Sequence, residues 1–202
     1  MSTGSQNIRP TLTRCHWCST DPLYQQYHDE EWGVPNRHVG HLFEMLILEG
    51  MQAGLSWITV LRKRERYREV YRNFDVQFMA QQSEADLERL AQDPGIIRNR
   101  LKLRAARQNA KAWLALAEQH DVATWLWQFV GGMPKINHFT RHAQVPTITD
   151  EARAMSKALK QAGFSFVGPT ICYALMQATG MVMDHTRDCF RYAELVGSGA
   201  DE

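Results

Sequence analysis

Leu48-Glu49-Gly50-Met51-Gln52-Ala53-Gly54-Leu55-Ser56-Trp57 closes an apolar run, carries a carboxylate into it, breaks at glycine and restarts at Ser56. At helical spacing Leu42, Met45, Leu46, Glu49 and Ala53 share one stripe, so the segment reads as the end of an amphipathic helix with Glu49 on its apolar side. Gly54 suits the residue just past a helix, where left-handed backbone is needed. Ser56 suits the N-cap of a following helix. A carboxylate among apolar neighbours is costly unless it meets a hydrogen-bond donor, a cation or a ligand. The pattern alone leaves open whether Glu49 is a satisfied helix end or an acid that faces a ligand.

Working outward, the same punctuation recurs. Asp21 and Pro22 open a short helix, and Trp32-Gly33-Val34-Pro35 is a loop leading to a helix from Val39 to Ala53. Beyond Ser56 a helix is expected to about Asn73, crowded by Arg62, Lys63, Arg64, Arg66, Arg68 and Arg72 with Glu65 and Glu69 among them. Its simpler reading is a solvated face laced with ion pairs. Ser83 caps a helix to Ala91, and a long amphipathic helix runs from Arg98 to about Glu118. Thr124 to Val130 reads as helical and ends at Gly131-Gly132. Residues 131–148 are the longest irregular stretch, a length that is either functional or poorly ordered. Thr149 caps a helix to Ala162, and Phe164 to Thr170 is a tight connection into a helix ending near Gly180. No internal repeat and no strand is evident, so the expected fold class is all-α. A flexible tail at 1–13, a single domain of two lobes at 14–195 and a second tail at 196–202 are expected.

With 202 residues, 44% hydrophobic and 22% charged, the chain has the composition of an ordinary globular domain. A net charge of +1 gives no whole-protein attraction to nucleic acid, so such a partner must be met by a local patch. No apolar run approaches the roughly 18 residues of a membrane span, and 1–13 lack the apolar core of a secretory signal. Four cysteines without such a signal favour metal ligation over disulfides and a cytoplasmic location.

Three constellations carry chemistry. Cys15 and His28 near one end, with His185 and Cys189 four apart near the other, form a Cys2His2 set suited to structural zinc tying the termini together. Cys18, His16 or Cys172 could replace one of them. The helix–turn–helix at 150–180, with Gly163 and Gly168 flanking its turn, offers unpaired amides to a phosphate, or simply packs. Tyr24, Tyr27, Trp32 and Trp57 surround Glu49 in sequence, a setting for a flat, electron-poor ligand.

Arg-Cys-x-Trp at 14–17, Asp-Pro-Leu-Tyr at 21–24, Tyr-His-Asp-x-Glu-Trp-Gly-Val-Pro at 27–35 and Leu-Glu-Gly-x-Gln-Ala-Gly-Leu-Ser-Trp-Ile-Thr-Val-Leu at 48–61 resemble the 3-methyladenine DNA glycosylase I family. Gly-Ile-Ile-Arg-x-Arg at 95–100, Phe-x-Phe-Val-Gly-x-Thr-Ile-Cys-Tyr at 164–173 and Asp184-His185 with Cys189 extend the match from Arg14 to Cys189. The resemblance implies a helix-hairpin-helix glycosylase fold of two helical lobes and release of 3-methyladenine from double-stranded DNA. It implies one structural zinc on Cys15, His28, His185 and Cys189. Glu49 becomes the base-recognition and catalytic carboxylate, with Tyr24, Tyr27 and Trp57 as pocket aromatics. DNA contacts fall on Gln52, Gly54 and Leu55 in the loop after Glu49 and on Phe166, Val167, Gly168 and Thr170 in the hairpin. Asp184 is expected to orient the zinc ligand His185 rather than to activate water. No Schiff-base lysine stands out, so strand cleavage is not expected, and neither is a membrane partner; the protein is expected to act as a monomer.

Overall fold

A computed structural model of the chain describes residues 12–197, among which there are eleven α-helices. Capping chemistry sets most of their starts. In α1 (Pro22–Glu30) the Asp21 side chain accepts from the Leu23 and Tyr24 amides, and Pro22 fills the first position. α2 (Val39–Gln52) carries the apolar stripe and stops where Gly54 takes a φ of +77°, a conformation that strains any residue with a Cβ.

The single helix expected from Ser56 to Asn73 is two, α3 (Trp57–Leu61) and α4 (Arg64–Val70). The backbone tightens at the junction, where the Lys63 amide donates to Val60. The offset aims the buried Arg64 at Glu31 (2.7 and 2.9 Å) and Glu44 (2.6 Å). A run of arginines has no apolar period in which such a break would show. Ser56 bonds the Thr59 hydroxyl instead of capping α3. Arg62 pairs with Asp21, Arg66 with Glu69 and Asp93, and Arg68 with Glu44 and Glu65, so this segment is the ion-paired face of the simpler reading.

α5 (Val76–Ala80) is too short to show a period in the sequence. α6 (Glu84–Leu90) begins with a capping box between Ser83 and Asp86. α7 (Arg100–Ala117) packs on α2, α5 and α6. α8 (Val122–Trp127) starts ahead of the expected Thr124 because Asp121 caps it, and Gln128–Val130 continues it as a 3-10 turn. α9 (Asp150–Gln161) and α10 (Pro169–Ala178) form the helical hairpin.

Two further elements correct the sequence reading. β1 (Lys135–Ile136) and β2 (Val182–Met183) pair in parallel, although no strand is expected; two residues carry no alternation, and the pairing forms only because the 131–148 connector lies against the segment leading to His185. α11 (Phe190–Gly197) carries helix past Leu195, where a polar tail is expected. The remainder of the two expected tails, residues 1–11 and 198–202, lies outside the described residues. One cluster of buried side chains runs from Cys15 through Phe43, Leu46, Leu103, Trp113, Leu159 and Tyr173 to Cys189, so the helices share one core. The two ends of the described chain meet where the Phe190 amide donates to the Thr13 carbonyl. No described helix is long and apolar enough to cross a membrane.

Candidate functional site

Cys15 lies just ahead of α1 and His28 in its last turn, while His185 follows β2 and Cys189 precedes α11. The fold brings all four, fully buried, to one point, with their ligand atoms within 4.8 Å of one another. Cys15 Sγ is 3.4 Å from His185 Nδ1, and Cys189 Sγ is 3.4 Å from that nitrogen and 3.5 Å from His28 Nε2. Sulfur and nitrogen bound at ordinary lengths to one tetrahedral zinc lie about 3.5 Å apart, so these residues could hold that ion.

The rings are set for it. His28 Nδ1 lies 2.7 Å from Asp29 Oδ1, and His185 Nε2 lies 2.9 Å from the Trp32 carbonyl. Both partners only accept, so the outward nitrogens carry the protons and the inward ones keep their lone pairs. Arg14 in turn holds Asp29 at 2.6 Å. Hydrogen bonding between the sulfurs pushes the Cys15 thiol up and pulls Cys189 down, as two sulfurs sharing one proton should. His16 stacks on His142, Cys18 faces the Ser19 and Tyr24 carbonyls, and the Cys172 thiol faces Val167, so none of the three possible substitutes joins the cluster. Asp184 does not orient His185. Its carboxylate accepts from Asn137 (2.7 Å), Tyr173 (2.5 Å) and Gln177 (2.8 Å), and the Trp32 carbonyl takes the role expected of it.

Beside the cluster opens a cavity of about 180 Å³ lined by Trp17, Tyr24, Tyr27, Trp32, Glu49, Gln52 and Trp57, with His142, Gln177, Asp184 and Thr186 completing it. Glu49 projects from the last turns of α2 with only 3% of its surface exposed, and its Oε2 has no hydrogen-bond partner. Burial pushes its carboxyl up to about 8. Trp57, at the start of α3, also leaves its Nε1 unpartnered. Buried polar atoms without partners are rare in folded proteins. An unmatched acceptor and an unmatched donor on one aromatic cavity describe a receptor for a flat molecule with polar edges.

Tyr27 packs against Trp57 at 5.3 Å between ring centroids, and burial followed by the charge of Glu49 raises its phenol well above its usual value. Trp17 packs between Tyr24, tilted at 5.1 Å, and Trp32, edge-on at 4.9 Å. Trp17 and Asp29 are among the site residues that the sequence does not single out, as are His142, Gln177 and Thr186. Trp17 and Asp29 each sit within two residues of Cys15 or His28, and that adjacency is the signal that could have found them.

Gln52 reaches the cavity, and Leu55 stands 41% exposed on the loop beyond it. In the hairpin Phe166 adopts a left-handed φ of 56° and is 38% exposed, while Gly168 and Thr170 open α10. The Val167 side chain is 2% exposed in the core and its carbonyl accepts from Ser156 (2.6 Å), so the expected contact from this residue falls to its backbone.

The profile described as methyladenine glycosylase matches residues 17–192. DNA-3-methyladenine glycosylase 1 of Escherichia coli (strain K12) is 50% identical over 182 residues, 90% of this chain and 97% of that protein. A crystal structure of 3-methyladenine DNA glycosylase I superposes with a TM-score of 0.87 at 52% identity, covering 88% of this chain and 98% of that one. The Staphylococcus aureus 3-methyladenine DNA glycosylase I, whose structure describes recognition of 3-methyladenine, aligns with a TM-score of 0.85 at 36% identity, covering 88% and 95%. With its sequence and its fold matched along nearly the whole length, this chain belongs to the methyladenine glycosylase family of enzymes.

Proposed function

We propose that this chain flips 3-methyladenine out of double-stranded DNA and hydrolyses its glycosidic bond, leaving an abasic site without cutting the strand. The observation that carries the reading is Glu49, buried at 3% exposure with an unpartnered oxygen inside an aromatic cavity. Methylation at N3 makes adenine cationic, so the base departs neutral and needs less protein catalysis than a normal base would. A base within a duplex is out of reach and must first leave the stack. Glu49, pushed up to about 8 by burial, is poised to ionise when a cation arrives and to accept charge-assisted hydrogen bonds from the base edge. Tyr24, Tyr27 and Trp57 sandwich the ring, Leu55 fills the vacated place in the duplex, and the hairpin amides ahead of Thr170 hold a phosphate.

Cys15, His28, His185 and Cys189 hold a zinc ion that ties the two ends of the fold together. Four protein ligands complete a tetrahedron and leave no position for substrate, so the chemistry rests with the cavity. The described residues lining that cavity include no lysine, which agrees with hydrolysis alone. The enzyme acts as a monomer in the cytoplasm.

The test is release of free base from methylated duplex DNA, with and without a chelator. Base release that disappears only as the protein unfolds supports the reading. Binding without release would make the chain a zinc-stabilised DNA-binding module, and activity that follows metal identity would make it a metal-dependent hydrolase.

A further inference from the structure

One helix holds both elements that the proposed function assigns to DNA. Lys102, near the start of α7, is 6% exposed and donates from Nζ to the Met51 and Ala53 carbonyls, each at 2.7 Å. These are orphan carbonyls at the end of α2, where a helix leaves its acceptors unmet and its dipole favours a cation. They sit immediately before Gly54 and Leu55. Asn109, on the same face two turns on, is 3% exposed and grips the hairpin through both backbone groups of Ser165: Nδ2 donates to the carbonyl (2.9 Å), and Oδ1 accepts from the amide (2.7 Å).

Seven residues of helix put these two grips about 10 Å apart along α7. Between them Ala105 and Ala106 face Gly50 and Phe166 across a small cleft. The hairpin packs directly on α2 there, with the Phe166 side chain in van der Waals reach of a Cβ built at Gly50 (3.5 Å). Each grip satisfies backbone groups that an apolar side chain would leave unpaired. Both fix backbone atoms of loops whose outward groups are exposed.

We infer that Lys102 and Asn109 are positioning residues, and that α7 is the spacer that sets the duplex-probing loop in register with the phosphate-holding hairpin. The inference rests on the glycosylase reading above. Lys102 acts on base extrusion through the Gln52–Leu55 loop, and Asn109 acts on duplex affinity through Ser165 and Phe166. Neither lines the cavity, so binding of the free base is the control against which both effects are read.

Three measurements on the full chain test this: binding of free 3-methyladenine, affinity for undamaged duplex, and single-turnover release from methylated duplex. Lys102→Met should slow release about tenfold or more, the cost of losing charged hydrogen bonds, with the two binding constants within about twofold of wild type. Lys102→Arg, which keeps donors at that place, should recover most of the loss. Asn109→Leu should weaken duplex affinity at least about fivefold and leave free-base binding unchanged. If it does not fold, Asn109→Asp, which keeps the acceptor and loses the donor, should show a smaller drop in the same measurement. Release and duplex affinity both within about twofold of wild type in folded variants would overturn the inference. So would free-base binding that falls in step with release, the mark of a general loss of structure. If the wild-type chain releases no base, the glycosylase reading has failed, and the duplex-affinity arm still decides whether Asn109 positions the hairpin.

Discussion

The Cys/His cluster and the aromatic cavity share a wall, yet they are finished in opposite ways. In the cluster every inward donor faces another and each ring is fixed from behind, His28 by Asp29 and His185 by the Trp32 carbonyl. Among the residues lining the cavity, Glu49 Oε2 and Trp57 Nε1 are buried without a partner. A closed set of donors is a joint, and an open set is a receptor. Trp17 and Trp32 pack between the two, against Tyr24 on one side and against His28 and His185 on the other. One aromatic partition thus borders both a closed set of side chains and an open one, and each can be attacked without removing the other.

The largest effect is expected at the joint. Cys189→Ser removes a thiolate ligand and should abolish stoichiometric metal and lower the melting temperature by more than about 10 °C, because structural zinc binding is folding free energy. Metal analysis alongside thermal melting checks it; a normal melt with no metal would reduce the cluster to packed side chains.

Next comes the cavity's effect on stability. Glu49 rises from 4.5 to about 8 on burial, so the folded chain keeps a proton that the unfolded chain releases at lower pH. The wild type's advantage is therefore complete below about 4.5 and is lost as pH rises towards about 8. Denaturant titrations of wild type and Glu49→Gln from about pH 5 to 8 should diverge by a few kcal/mol, the wild type losing ground. Parallel curves would mean that Glu49 ionises freely where it sits.

The same variant should reduce excision by about 10- to 100-fold, the worth of charge-assisted hydrogen bonds to a cationic base, with metal content intact. Undiminished excision would return Glu49 to a structural role and erase the contrast between receptor and joint. The smallest change is expected behind His28. Asp29→Asn should weaken metal affinity by about 10-fold or somewhat more, while excision at saturating metal holds steady. A loss of excision at full metal occupancy would show that the partition between the two regions is less independent than their geometry indicates.

Much of this was legible from residue types and spacing. Asp21, Ser83 and Thr149 cap the helices they announce, and Gly54 ends α2 in the left-handed conformation its position suggests. Cys15, His28, His185 and Cys189 converge as their spacing and family resemblance imply, although Cys18, His16 and Cys172 were equally available by type. The break between α3 and α4 was hidden by an unbroken run of charge, and β1 and β2 were too short to carry a period. Asp184 was assigned to its sequence neighbour His185, yet it turned to Asn137, Tyr173 and Gln177. Val167 shares a motif with the exposed Phe166, and only the structure shows that its side chain faces the core.

The sequence by itself determined the helical class, most helix starts, the donors for a metal and the acid at position 49. Helical period, capping and ligand chemistry are properties of neighbouring residues, and they survive without a fold. Only the tertiary structure decided that Glu49 Oε2 lacks a partner, that Asp29 and the Trp32 carbonyl fix the histidine rings, and that one face of α7 grips both the loop after α2 and the hairpin. Burial and partnership depend on which distant segments meet, and no local pattern records that meeting.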